Sequence, residues 1–142
     1  MCLPYYICIQ FNFNESKFFI VDVNVLRKSI YEWLKLNAIG KVIYNDSLGA
    51  YIKINKSGIK HSISFSNKYY VQKLKSMYQI EDLVKRAIYS RSIPGKRNRK
   101  TNKEIIILAN NVYIESIYFN VEIVIRHTNE GRFYYNHMLI KK

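Results

Sequence analysis

Two short segments hold the residue types that acid–base chemistry needs. One is Lys60-His61-Ser62 and the other is Phe133-Tyr134-Tyr135-Asn136-His137. Histidine titrates near neutrality, so an imidazole serves as proton donor or proton acceptor. Cleavage of RNA without a metal needs a base for the ribose 2′-hydroxyl, an acid for the leaving 5′-oxygen and a cation for the phosphate. His61 and His137 would share the proton transfers if strands of one sheet brought them together. Alternation along a strand puts His61 with Ile59, Ile63 and Phe65, and sets Lys60, Ser62 and Ser64 on the other side. By the same rule Phe133, Tyr135, His137 and Leu139 share a face opposite Tyr134, Asn136 and Met138. Both patterns equally describe a histidine and aromatic rings packed at a core edge, so periodicity alone leaves the two readings open.

A third cluster follows Pro94-Gly95. In the stretch from Lys96 to Lys103, five of eight residues are cationic: Lys96, Arg97, Arg99, Lys100 and Lys103. It is either a phosphate clamp or a solvated loop. The whole chain is basic, with 23 Lys/Arg against 10 Asp/Glu and a net charge of +13. Such a field speeds encounter with polyanions and adds affinity that does not depend on sequence. The expected partner is RNA or an RNA–protein complex, with an acidic protein surface as the alternative. The 13 tyrosines offer flat rings that suit both base stacking and a core edge.

Other chemistries find little support. Cys2 and Cys8 are not part of a CxxC or a His/Cys cluster, so no structural metal is expected. There is no glycine-rich phosphate loop and no nucleophile elbow, and acidic residues are sparse for a two-metal site. No cofactor is expected. Residues 1–13 are apolar but lack a basic leader and a small-residue cleavage site. No run approaches the ~18 apolar residues of a membrane span, so a cytoplasmic protein away from the membrane is expected.

The elements that must position these residues read as follows. Tyr5–Ile9 and Lys17–Val21 form strands around a turn at residues 12–16. Leu26, Ile30, Trp33 and Leu34 share a helical face over residues 24–38, with Asp22 or Asn24 as cap and Gly40 as stop. Val42–Tyr44 is a strand, and residues 50–54 and 59–65 form a hairpin turned by Ser57-Gly58. Residues 67–90 are helical, with a break near Gln79-Ile80-Glu81. Strands follow at 104–108, 112–119, 121–127 and 132–140, bounded by Asn110-Asn111 and Asn129-Glu130-Gly131. The 142 residues fit one domain of α+β class, helices in the N-terminal half and an antiparallel sheet in the C-terminal half.

The order of the pieces resembles domains embedded in large polyvalent proteins of phages and conjugative elements, grouped with the barnase, EndoU, colicin and RelE-like ribonuclease fold. The likeness is carried by Val42-Ile43-Tyr44-Asn45-Asp46-Ser47-Leu48-Gly49, by Ser57-Gly58-Ile59-Lys60-His61-Ser62, and by Gly131-Arg132-Phe133-Tyr134-Tyr135-Asn136-His137. It covers residues 24–142, and residues 1–23 form an extra N-terminal β-hairpin beside it. The resemblance implies a metal-independent endoribonuclease, often a toxin, with Lys60, His61, Ser62, Tyr135 and His137 at its site. Arg126 joins Lys60 as a phosphate-binding cation, while Ser62 and Tyr135 orient the phosphate. Two other readings stand beside this one. One is a phage-type inhibitor that docks on a host RNA–protein defence effector. The other is an RNA-binding module with stacking tyrosines and no chemistry.

Overall fold

In the computed structural model the chain is described over residues 22–64, 68–94 and 102–142. The strands expected at Tyr5–Ile9 and Lys17–Val21 lie outside these residues, as do Lys96, Arg97, Arg99 and Lys100.

Asp22 caps helix α1 (Val23–Asn37), its carboxylate accepting from the N–H groups of Asn24 at 2.9 Å and Val25 at 3.4 Å. This satisfies donors that a helix start leaves open. Leu26, Ile30 and Leu34 recur one turn apart and are buried. Strands β1 (Val42–Asn45) and β2 (Ala50–Lys53) pair antiparallel. Buried Asn45 fastens their turn: its Oδ1 accepts from Leu48 N–H at 2.7 Å, and its Nδ2 donates to the carbonyls of Val84 and Ala87 at 2.8 Å each.

The structure corrects the strand expected after Ser57-Gly58. Lys56–Ser64 is helix α2, and the hairpin closes β1 on β2 instead. Ile59 and Ile63 alternate as a strand would, but they are also one helical turn apart. The buried set Gly58, Ile59, Ser62 and Ile63 has the helical period. Asn55 supplies the start, its Oδ1 accepting from Gly58 N–H at 3.0 Å.

Helix α3 (Tyr70–Ser76), a 3₁₀ turn (Met77–Gln79) and helix α4 (Ile80–Arg86) follow, with the break where the apolar face shifts. Helix ends at Arg86, short of residue 90, because Ile88–Pro94 is strand β3. Every residue of β3 is exposed, so no alternation marks it. It is a sheet edge, where Pro94 needs no N–H partner.

Strands β4 (Asn102–Ile114), β5 (Ile117–Thr128) and β6 (Phe133–Lys141) are long. The turn expected at Asn110-Asn111 is absent, and β4 runs straight through it. Asn110 Nδ2 instead holds the Leu83 carbonyl at 3.0 Å. The chain turns at Glu115 and Ser116, with φ of 53° and 68°, as a two-residue hairpin turn requires. Lys75 anchors that turn through Glu115 at 2.5 Å. The turn expected at Asn129-Glu130-Gly131 is present.

The sheet order is β1-β2-β6-β5-β4-β3. All pairs are antiparallel except β2 and β6, which run parallel over two positions. Val121, Ile123, Ile125, Met138 and Ile140 share the core with Leu34, Leu74 and Met77 of the helical layer. Because β2 meets β6 only at Phe133 and Tyr134, the rest of that β6 edge is open to α2.

Candidate active site

Gly58 sets the distance between α2 and β6. A Cβ at this position would lie 2.1 Å from the Tyr135 carbonyl oxygen, so only glycine lets the two backbones approach this closely. One turn further on, Ser62 Oγ and Tyr135 Oη are 2.5 Å apart, and both side chains are fully buried. The end of α2 is held by Tyr70, whose hydroxyl donates to the Ile63 carbonyl and accepts from Arg27 Nε at 2.8 Å.

On β6 the register skips one residue. Ile125 faces Tyr135 and Val124 faces His137, which leaves Asn136 as a bulge. The bulge resets the alternation. His137 opposite Val124 and Tyr134 opposite Arg126 therefore stand on the same side of the ladder, the side away from core residues Ile123 and Ile125. His61 emerges on the exposed side of α2 and meets His137, with ring centroids 4.6 Å apart and planes inclined by 49°. The Asn136 amide nitrogen donates to His137 Nδ1 at 3.1 Å, which puts the proton of the neutral ring on Nε2; Nε2 becomes a proton acceptor once the amide turns over and its oxygen accepts from Nδ1–H.

A cavity of about 130 Å³ is lined by His61, Lys73, His137 and Leu139. Burial pushes the His137 imidazolium down to about 4, and the positive charges of His61 and Lys73 push in the same direction. At neutral pH this ring is an uncharged base. Burial also lowers the Lys73 ammonium from 10.5 to about 8, which leaves it a cation at pH 7. The Tyr135 phenol is pushed upward by burial, against the opposing effect of its bond with Ser62, and stays protonated.

The structure thus joins His61 to His137, and Ser62 to Tyr135. The second pair lies outside the cavity lining and fixes α2 against β6. Lys60 is exposed on α2 and is not part of the lining. Arg126 sits two residues along β5 from Val124, with its guanidinium 4.9 Å over the Tyr134 ring. Lys103 is exposed on β4. The cation that lines the cavity is Lys73, which sequence reasoning passed over. It stands in the buried stripe of Tyr70, Leu74 and Met77, where the helical period calls for an apolar side chain, and that misfit is the signal that marks it.

A family model described as large polyvalent protein-associated domain 3 matches residues 22–135. The chain belongs to this family. The large polyvalent protein-associated domain 3 match runs from the α1 cap into β6 and includes Gly58, His61, Lys73 and Tyr135, with His137 just beyond it. Membership points to a protein of a phage or another mobile element. No curated protein and no solved structure matches the chain. Among the described residues, no helix is long and apolar enough to cross a membrane, and no group of three or more His, Cys, Asp or Glu is placed to hold a metal ion.

Proposed function

We propose that this large polyvalent protein-associated domain 3 protein cuts RNA without a metal, His137 and His61 moving the protons. The observation that carries the reading is the pair of imidazoles 4.6 Å apart, over a cavity that also holds an ammonium group. His137, uncharged at neutral pH, takes the proton of the ribose 2′-hydroxyl. The 2′-oxygen then attacks phosphorus, and the bond from phosphorus to the 5′-oxygen breaks. The acid role falls to His61, which in its imidazolium form gives its proton to that leaving oxygen. The products are a 2′,3′-cyclic phosphate and a 5′-hydroxyl, and the two histidines have exchanged protonation states. Lys73 offsets the charge that grows on the phosphoryl oxygens. The cavity fits a phosphate group, so the nucleosides lie outside it. The ribonuclease fold that the sequence motifs resemble agrees with this chemistry.

A substrate-side experiment tests the reading. The purified protein is incubated in EDTA with an oligoribonucleotide, and with the same chain carrying 2′-deoxyribose at the cut position. A cyclic phosphate end from the first and no cut in the second are expected. A cut in the deoxy chain, or a plain 3′-hydroxyl product, overturns the mechanism.

One observation favours a non-enzymatic docking protein, the reading in which a host defence effector is the partner. Tyr113 and Tyr118 form an edge-to-face pair at 4.6 Å, exposed by 63% and 60%, beside the tip of the β4–β5 hairpin. Exposed tyrosines of this kind suit protein interfaces as well as RNA. A parent protein that cuts no RNA, with a phenotype that follows substitutions at Tyr113 and Tyr118, would select it.

A further inference from the structure

A second concavity lies on the sheet. It is a cleft of about 500 Å³ whose lining includes Tyr51, Lys53, Arg132, Phe133 and Tyr134. The register explains the mixture of rings and cations. Lys53 on β2 is opposite Tyr134 on β6, which is opposite Arg126 on β5. A row of cation, ring and cation therefore crosses three strands. The rings around the row, and the backbone of Arg132, are held in place. Arg126 sits 4.9 Å over the Tyr134 ring. Tyr51 is braced edge-on by Tyr44 at 5.0 Å. Phe133 stacks on His127 at 4.1 Å, and His127 Nδ1 in turn lies 2.7 Å from Glu104 Oε2. Arg132 is placed by its turn: its carbonyl accepts from Thr128 N–H at 2.8 Å, and its N–H donates to Thr128 Oγ1 at 3.1 Å.

We infer that this cleft is a nucleotide subsite for single-stranded RNA, one base stacking against Tyr51 and Tyr134 and the flanking phosphates meeting Lys53 and Arg132. Every base has a π-face, so stacking on tyrosine tolerates any sequence, and basic side chains follow the backbone. A duplex hides its base faces from such rings, which selects the single strand. An acidic peptide would use the cations and leave the aromatic rings idle. The volume lies in the range of about 300–1,000 Å³ typical of small-ligand sites and suits one nucleotide. The bulge at Asn136 adds a geometric link. It brings His137 to the same side of β6 as Tyr134, three positions away, or about 10 Å at ~3.4 Å per residue. One strand of RNA spans both.

The inference rests on RNA being the substrate of the histidine pair, and the two fail separately. The probe is a fluorescent single-stranded RNA hexamer, 2′-O-methylated so that it resists cleavage, followed by anisotropy. Tyr51→Ala and Tyr134→Ala should each weaken binding ~10-fold, as the loss of one stacked base does. Tyr51→Phe keeps the ring and should bind as the parent does. Lys53→Gln should lower the salt slope by about one phosphate contact. Tyr51 is 64% exposed, so its alanine variant is expected to fold, and a melting curve checks both tyrosine variants. Parent-like binding by both folded alanine variants overturns the subsite. So does a parent that binds the hexamer no better than an acidic peptide of equal charge, which would mark a protein-docking surface. Binding that is lost in the tyrosine variants, from a parent that never cuts RNA, supports the subsite and removes the catalytic reading alone.

Discussion

Replacing Gly58 with alanine pits two effects of known size against each other. Alanine is favoured over glycine by up to ~1 kcal/mol in a helix interior, and by no more than that at Gly58 in the first turn of α2. Propensity alone therefore predicts a more stable protein. Packing predicts the reverse. The added Cβ would lie 2.1 Å from the Tyr135 carbonyl, 2.8 Å from Asn55 Oδ1 and 3.0 Å from Tyr135 Cδ2, where ordinary contact begins near 3.4 Å. The nearest obstacle is strand backbone, which does not rotate away, so α2 and β6 must separate by about 1 Å. Overpacking of this kind costs ~1–3 kcal/mol. Separation also parts Ser62 from Tyr135, and buried hydroxyls left unsatisfied cost a further ~1–3 kcal/mol. The net expectation is a loss of ~3 kcal/mol. For 142 residues the unfolding entropy is about 0.3 kcal/mol/K, so Tm should fall by ~10 °C. Thermal melts of Gly58→Ala beside Ser57→Ala, an exposed helix position, make the measurement. A Gly58→Ala protein that melts at or above the parent would refute the close-approach argument.

Three further outcomes follow from the site and its scaffold. His137 titrates at about 4 in the fold, against an ordinary 6.5. Above pH 6.5 it is neutral whether folded or unfolded. Between 6.5 and 4 the unfolded chain binds the extra proton, so stability falls as pH falls, by ~1–2 kcal/mol after discounting for solvent access. His137→Gln should flatten that part of the change in urea midpoint between pH 7 and 4.5, and an unchanged slope would contradict the assignment. Lys73→Met removes a buried charge and should raise the urea midpoint, by ~1–2 kcal/mol, while lowering RNA cleavage; a less stable variant would count against the desolvation argument. Ser116→Gly relieves a positive φ of 68° and should add ~0.5–1 kcal/mol without touching cleavage, which a thermal melt checks.

The parts of the fold legible in the sequence are those where one signal dominates. Helix α1 was readable because Asp22, the Leu26-Ile30-Leu34 spacing and Gly40 agree. The turn at residues 129–131 was readable from Asn129 and Gly131. Helix α2 was not, because nine residues hold too few periods to separate strand alternation from a helical stripe. Gly58 looked like a turn signal, yet its role is the contact with Tyr135, which exists only once β6 is in place. Asn110-Asn111 looked like a turn for the same reason, while the real turn at Glu115-Ser116 carries neither Asn nor Gly and is held by Lys75. His61 and His137 were picked out as candidates from residue type and motif order, and their rings do meet, although His61 was expected on a strand and lies on helix α2. Lys73 was hidden because a lysine in a helix reads as solvated unless its neighbours are known to be core.

The central claim is that His61 and His137 together move the protons of RNA cleavage. Its most direct test is the single-turnover rate of RNA cleavage in EDTA for the parent, His61→Ala, His137→Ala and the double variant, with the fold checked by circular dichroism. Each single substitution should slow cleavage by ~10²–10⁴, and the double variant should lose little beyond the worse single, because two groups serving one step do not add. Cleavage by the folded double variant at the parent rate, or a parent that leaves RNA intact, would contradict it.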